Sequence, residues 1–299
     1  MKIFYTDHYV LPLPPWHRFP MQKYALLRER VERAGIAGEP LSVPEAASDE
    51  QLLQAHSAGY LERVQRGALS REEQRRIGFP WSEQMVERSR RSSGATLAAS
   101  RAALSDGAAV NLAGGTHHAF RDRGEGYCVF NDAAVAARTL QSEGLVQRVA
   151  IVDCDVHQGN GTASILADDP MVYTFSVHAV NNYPFDKETS DLDIELPDGT
   201  GDQPYLAAVE RGVCTALSAA QPQLVIFLAG ADPFEGDRLG RLKVSKRGLA
   251  QRDRLVLDLC HHAGVAVAVT MAGGYARRIE DCVDIHFTTV LTAAETLAR

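Results

Sequence analysis

The sequence predicts an α/β fold of three layers, with helices on both faces of a mainly parallel central sheet. Apolar runs at residues 149–152, 224–229 and 265–271 are continuous rather than alternating, as strands buried on both faces are. Stretches with apolar residues at helical spacing separate them, the order that parallel strands with crossover helices produce. Each run then gives way to Asp, His or Gly-Gly-Tyr, which puts polar chemistry where parallel strands leave their sheet.

Residues 2–6 read as a first strand running into a Pro-rich loop, 11–20, whose His17 and Arg18 either line a cleft or cover a sheet end. Helical spacing over 21–34 stops at Gly35, and Pro44 followed by Glu45 opens a further helix to about His56. Short helical pieces at 60–65 and 71–76 precede a Gly/Pro break at 78–81. The long pattern at 82–104 reads as a helix weakened or kinked at Gly94. A short strand at 108–112 ends in AGGTHHAF, and a loop leads to a helix at 133–141. After the 149–152 strand come a helix at 163–167 and a β-rich run at 172–178. Residues 179–203, dense in Asn, Pro, Asp and Gly, read as one long loop. Helices at 204–219, 246–262 and 279–298 complete the alternation. No repeat or linker divides the chain, so a single domain over residues 1–299 is expected.

Ordinary globular composition (45% hydrophobic, 23% charged) fits that domain, and a net charge of -7 gives no electrostatic reason to expect a nucleic acid or an anionic membrane as partner. The densest basic run, residues 88–91, reads as a solvated helix face. Five widely spaced cysteines without a C-x-x-C pair suggest neither disulfides nor a thiolate metal site, and no long apolar segment is present. A soluble protein of the reducing cytoplasm is expected.

The stretch VDCDVHQGNGT, residues 152–162, concentrates the chemistry: Asp153, Asp155 and His157 occupy alternate positions beyond a buried strand. His117 and His118, Asp232 and Tyr275 mark three other strand ends. Any one alone reads as a cap or a satisfied polar group; together they suggest a metal site. Asp155, His157 and Asp232 offer two oxygens and one nitrogen to Zn²⁺ and leave a position open. His117 or His118 is placed to take a proton from water, and Tyr275 to hydrogen-bond a developing oxyanion. The chemistry that assembles is metal-assisted amide hydrolysis.

GGTHHAF, GYCVFND, VDCDVHQGNGT, AGADPFEGDRLG and AGGYA, in this order, resemble the zinc-dependent histone deacetylase and acetylpolyamine amidohydrolase superfamily. FYTDHYVLPLPPWHRFP and IGFPW look like its class IV branch and bacterial relatives. The resemblance implies an arginase/deacetylase-like fold and carries roles over by position. Asp155, His157 and Asp232 match the zinc ligands, His118 the general base and later acid, and His117 its partner. Asp153 matches the carboxylate behind His117, Asn160 the residue behind His118, and Tyr275 the carbonyl-polarising tyrosine. Gly126, Tyr127 and Cys128 match the wall of an acyl-lysine tunnel and Leu239 its rim. Ser176 lies where relatives contribute to a structural potassium site.

Two positions depart from the commoner pattern. Asn160 stands where many relatives carry aspartate, so His118 is expected to be oriented without an added carboxylate and to stay neutral near pH 7. Thr116 stands where an aromatic often precedes the histidine pair, which suggests room for acyl groups longer than acetyl. The expected activity is deacylation of lysine side chains in a peptide or protein. The alternative on the same fold is an amidohydrolase acting on acetylated polyamines, which an acidic residue from 186–193 at the tunnel mouth would favour. Binuclear manganese chemistry lacks the residue it needs at Gly159, and a non-catalytic acyl-lysine binder is disfavoured because every catalytic position is filled.

Overall fold

The structure, a computed structural model, describes residues 1–14, 16–36 and 40–298. Seven strands form one sheet: β1 (Lys2–Phe4), β2 (Ala108–Asn111), β3 (Val149–Asp153), β4 (Val172–Ala179), β5 (Leu192–Leu196), β6 (Leu224–Leu228) and β7 (Ala266–Thr270). Their order is β1-β2-β7-β6-β3-β4-β5, and every pairing is parallel. Alternate residues divide between two cores. Ile151, Ile226 and Ala268 face α5 (Glu83–Asp106) and α6 (Asp132–Ser142), while Val152, Phe227 and Val269 face α8 (Asp202–Ala220), α9 (Lys246–His262) and α10 (Ile279–Leu297). α1 (Gln22–Ala34) joins the second layer through Leu27 and Val31. Burial of both sheet faces is why the central strands read as unbroken apolar runs.

The remaining helices are α2 (Asp49–Leu52), α3 (Ala58–Gln65), α4 (Arg71–Ile77) and α7 (Asn160–Leu166). Serines start several of them: Ser70 and Glu73 form a reciprocal capping box on α4, and Ser57, Ser82 and Ser245 cap α3, α5 and α9.

Four local expectations are corrected. The helix expected from Pro44 to His56 shrinks to α2, because α5 captures the backbone of the preceding residues. The Ala47 N–H donates to the Arg90 carbonyl, and Arg90 Nε and Arg91 Nη1 donate to the carbonyls of Ala47 and Pro44. Gly94 neither ends nor interrupts the 24-residue α5. It lets that segment cross, since a Cβ there would lie 2.0 Å from the Glu45 carbonyl oxygen. Residues 88–91 are accordingly no solvated face: Arg88 is buried against the rings of Phe19 and Tyr24. Finally, residues 179–203 are not all loop, because Leu192, Ile194 and Leu196 alternate with Asp193 and Glu195 to form the edge strand β5.

Candidate active site

The site lies at the carboxyl ends of the adjacent strands β2, β7, β6 and β3, each followed by a connection rather than a hairpin. The loop after β2 supplies His117 and His118. Asp153 ends β3, and Asp155 and His157 follow in the turn before α7. Asp232 follows β6 and Tyr275 follows β7. These loops stay paired beyond the sheet, through Met271 N–H to the Ala113 carbonyl and Ala231 N–H to the Gly273 carbonyl, both at about 3 Å.

Asp155, His157 and Asp232 bring one ligand atom each within 4.8 Å of one another, all buried. His157 Nδ1 is 2.9 Å from Asp155 Oδ1 and 3.3 Å from Asp232 Oδ2. The outer carboxylate oxygens are held by the backbone: Gly273 N–H donates to Asp155 Oδ2 at 2.8 Å and Val156 N–H to Asp232 Oδ1 at 2.9 Å. Asp232 Oδ2, by contrast, is buried with no hydrogen-bond donor. Burial, and then the charge of Asp155, push the Asp232 carboxyl up to about 7. Burial opposes protonation of His157, yet the two carboxylates outweigh it and raise the imidazole to about 10. Two crowded carboxylates, an unpartnered oxygen and an imidazole nitrogen between them are the donor set of a divalent cation, and these residues fit one. Among the described residues this is the one such cluster of His, Cys, Asp and Glu.

The histidine pair sits beside it. His117 Nδ1 is 2.6 Å from Asp153 Oδ2, the two ring Nε2 atoms are 3.1 Å apart, and His118 Nδ1 is 2.7 Å from Asn160 Oδ1. Burial works against the imidazolium of His117, but Asp153 and Asp155 raise it to about 9. His118 is held well below its ordinary value, by burial and then by the positive charge of His117 and His157. The contacts suit a neutral ring: His118 Nδ1 meets the Asn160 amide oxygen, and its Nε2 faces His117. Tyr275 stays a phenol, since burial and the charges of Asp155 and Asp232 push its ionisation far up. Its N–H donates to Asp237 Oδ2 at 2.6 Å.

A cavity of about 410 Å³ runs through the site. Its walls include Gly126, Tyr127, Cys128 and Leu239, so each residue expected in the tunnel does line it. The Cys128 thiol is held well above its usual range by burial. The Pro-rich loop lines the cavity through Phe19, and His17 anchors that loop through the Gly78 carbonyl, 2.8 Å from Nε2. Thr116, Tyr24, Arg88 and Ser92 line the cavity as well. Two non-glycine residues of this wall, Tyr127 at φ 67 and Ala272 at φ 52, hold left-handed backbone, the kind of strain that functional loops concentrate. Ser176 lies opposite Asp153 in the sheet, its hydroxyl 2.9 Å from His178 Nδ1.

Several contributors had escaped the sequence reading. His118 Nδ1 meets the Asn160 amide, not a carboxylate, and Glu125 stands one step further back, its Oε1 2.7 Å from Asn160 Nδ2. Tyr183 packs edge-on against the His118 ring at 5.0 Å. Lys23, buried, directs its ammonium at the carbonyls of Ala272 and Gly274. Asp237 ties Tyr275 to the N–H groups of Leu239 and Gly240. Arg252, paired with Asp253, reaches the carbonyl of Gly230 at 2.7 Å and that of Cys154 at 3.4 Å, beneath the loops that carry Asp232 and Asp155. Glu125 adjoined a motif and Asp237 lay within one; Lys23, Tyr183 and Arg252 needed three-dimensional neighbours to be noticed.

Comparisons with known proteins show the family and the fold. A family model described as the histone deacetylase domain matches residues 17–290. An uncharacterised protein of Picosynechococcus sp. is 45% identical over 285 residues, covering 95% of each chain. Histone deacetylase 2 of Arabidopsis thaliana is 30% identical over 309 residues, covering 95% of this chain and 78% of its own. The crystal structure of the HDA15 HD domain superposes with a TM-score of 0.81 at 22% identity, over 100% of this chain and 94% of that one, which shows a shared fold.

Proposed function

Because the chain belongs to the histone deacetylase family, hydrolysis that frees an amine from its acyl group is its reaction, and we propose that its substrate is the acylated lysine side chain of a polypeptide. The observation that carries the reading is the meeting, at the wall of one cavity, of the Asp155, His157 and Asp232 donor set with the neutral His118 and the Tyr275 phenol.

Asp155, His157 and Asp232 would hold the metal, which we take to be zinc; bound there it would acidify a water and polarise the substrate carbonyl. His118 accepts the water proton at Nε2 and later delivers it to the departing amine nitrogen. Asp153 keeps His117 oriented and charged beside it. The Tyr275 O–H donates to the carbonyl oxygen as negative charge grows there. Gly126, Tyr127 and Cys128 enclose the aliphatic stem, with Leu239 at the mouth. A structural potassium near Ser176 belongs to the same reading, supported by the register of Ser176 beside Asp153.

The charge around the cavity favours lysine over a polyamine. Arg75, Arg76 and Arg241 line it, and among the described residues its only lining carboxylate is that of Asp155. Asp191 and Asp193 are committed elsewhere, to Thr174 and to Gln158 and Ser190. A polycation gains nothing from such a wall. Thr116 gives the cavity wall a small side chain, which supports acyl groups longer than acetyl. Free cysteines, four of them buried, accord with a reducing cytoplasm.

A panel of acyl-lysine peptides of increasing acyl length and acetylated polyamines, assayed with chelator and with zinc restored, tests the reading. Peptide turnover that chelation abolishes and zinc restores is expected. Turnover of polyamines alone, or turnover indifferent to chelation, refutes it.

A further inference from the structure

We infer that Glu125 is a positioning residue that sets the tautomer of His118 by fixing the orientation of the Asn160 amide; the functional consequence rests on the role proposed for His118. An asparagine amide has two ends of nearly equal shape, and only its partners decide which way it points. At Asn160 one partner is an imidazole nitrogen, which suits either end: Nδ1 donates to an oxygen as readily as it accepts from an amide N–H. The Nδ1 contact therefore leaves the choice open, and the N–H that His117 directs at His118 Nε2 favours the Nδ1–H form from the other side of the ring.

The carboxylate of Glu125 closes it. It accepts and does not donate, and its Oε1 lies 2.7 Å from Asn160 Nδ2. The amide oxygen is thereby turned towards His118 Nδ1, at 2.7 Å. Nδ1 must carry the proton, and the lone pair is left on Nε2, the atom that faces His117 at 3.1 Å. With the amide reversed, Nδ1 would accept, Nε2 would carry the proton, and the ring would present no basic atom to the cavity.

Glu125 is itself fixed. It is buried, and its other oxygen lies 3.7 Å from Arg123 Nε. The Tyr183 ring packs edge-on against that of His118. His118, Asn160 and Glu125 thus form a chain in which the last member can only accept.

The test uses the zinc-loaded protein labelled with ¹⁵N in its imidazoles, where nitrogen shifts report the tautomer directly. In the wild type His118 shows the Nδ1–H form. Glu125→Gln keeps the shape but lets both amides turn together, so the Nε2–H form appears and kcat falls at least about tenfold with little change in KM. Adding Asn160→Asp restores an acceptor-only group, and the double variant regains the Nδ1–H form and most of kcat above its acidic limb. A side chain that merely supports the fold would not be rescued by a change at its neighbour. Tyr183→Phe, which leaves the carboxylate on Asn160, keeps the wild-type tautomer. An Nδ1–H form unchanged in Glu125→Gln, no rescue by the double variant, or an altered tautomer in Tyr183→Phe overturns the inference. Because the shifts are read without substrate, they stand apart from any failure of the proposed activity.

Discussion

Gly273→Ala isolates the geometry of the metal cluster without touching a ligand. A Cβ on Gly273 would lie 1.9 Å from Asp232 Oδ2 and 2.5 Å from Asp155 Oδ2. Neither carboxylate can step aside freely, since Val156 N–H holds the first and Gly273 N–H the second. To restore an ordinary contact Asp232 would have to retreat by roughly 1.5 Å, several times the ~0.2 Å to which ligand distances are held. Displacing a ligand should cost more than losing an outer partner, hence at least about 100-fold in zinc affinity, or ~2.7 kcal/mol. At free zinc 1,000 times the wild-type Kd, binding stabilises the native state by ~4.1 kcal/mol, and a site 100-fold weaker by ~1.4 kcal/mol. With an unfolding entropy of ~2.1 cal/mol/K per residue over 299 residues, these become Tm increases of about 6 and 2 °C. Calorimetry with and without zinc, together with chelator competition, measures both. Gly59→Ala is the control, since its Cβ would meet only the Arg63 side chain, at 3.8 Å. Equal zinc affinity in Gly273→Ala and the wild type would sink the assignment of Asp155 and Asp232 as ligands.

Three further expectations follow from single contacts. Tyr275→Phe should lower kcat by about 10²–10³ while zinc affinity stays put; a comparable loss of zinc would mean that the phenol acts on the cluster instead. Asn160→Asp places a carboxylate on His118 Nδ1, which favours the imidazolium and raises a pKa now held well below its ordinary value. Activity needs the neutral ring, so the acidic limb of kcat/KM should move to higher pH, by less than in Glu125→Gln/Asn160→Asp, where no second carboxylate is present to share the proton. A pH profile unchanged in both variants would count against His118 as the base. Gly94→Ala drives a Cβ into the Glu45 carbonyl and should cost ~1–3 kcal/mol, lowering Tm by about 2–5 °C; an unchanged thermogram would contradict the close crossing of residues 44–47 over α5.

The sequence by itself determined the architecture of the central strands and the residues that meet at their ends. β3, β6 and β7 are buried on both faces, so their apolar runs are continuous, and the chemistry lies within one or a few residues of those runs, as at Asp153, Asp155 and His157. What is local in the chain is legible in the chain. Tertiary structure alone decided the rest. β5 alternates like any half-buried edge strand, yet its turn-rich surroundings masked it until β4 supplied the partner. The expected helix at 44–56 lost its first residues to α5, whose arginines offered their backbone better partners than a helix would. The setting of His118 was hidden for the same reason: Asn160 is 35 residues from Glu125, and only the fold brings the amide and the carboxylate to 2.7 Å. A hydrogen bond between distant segments leaves no periodicity to read, because neither residue alone shows which group the fold will set against it.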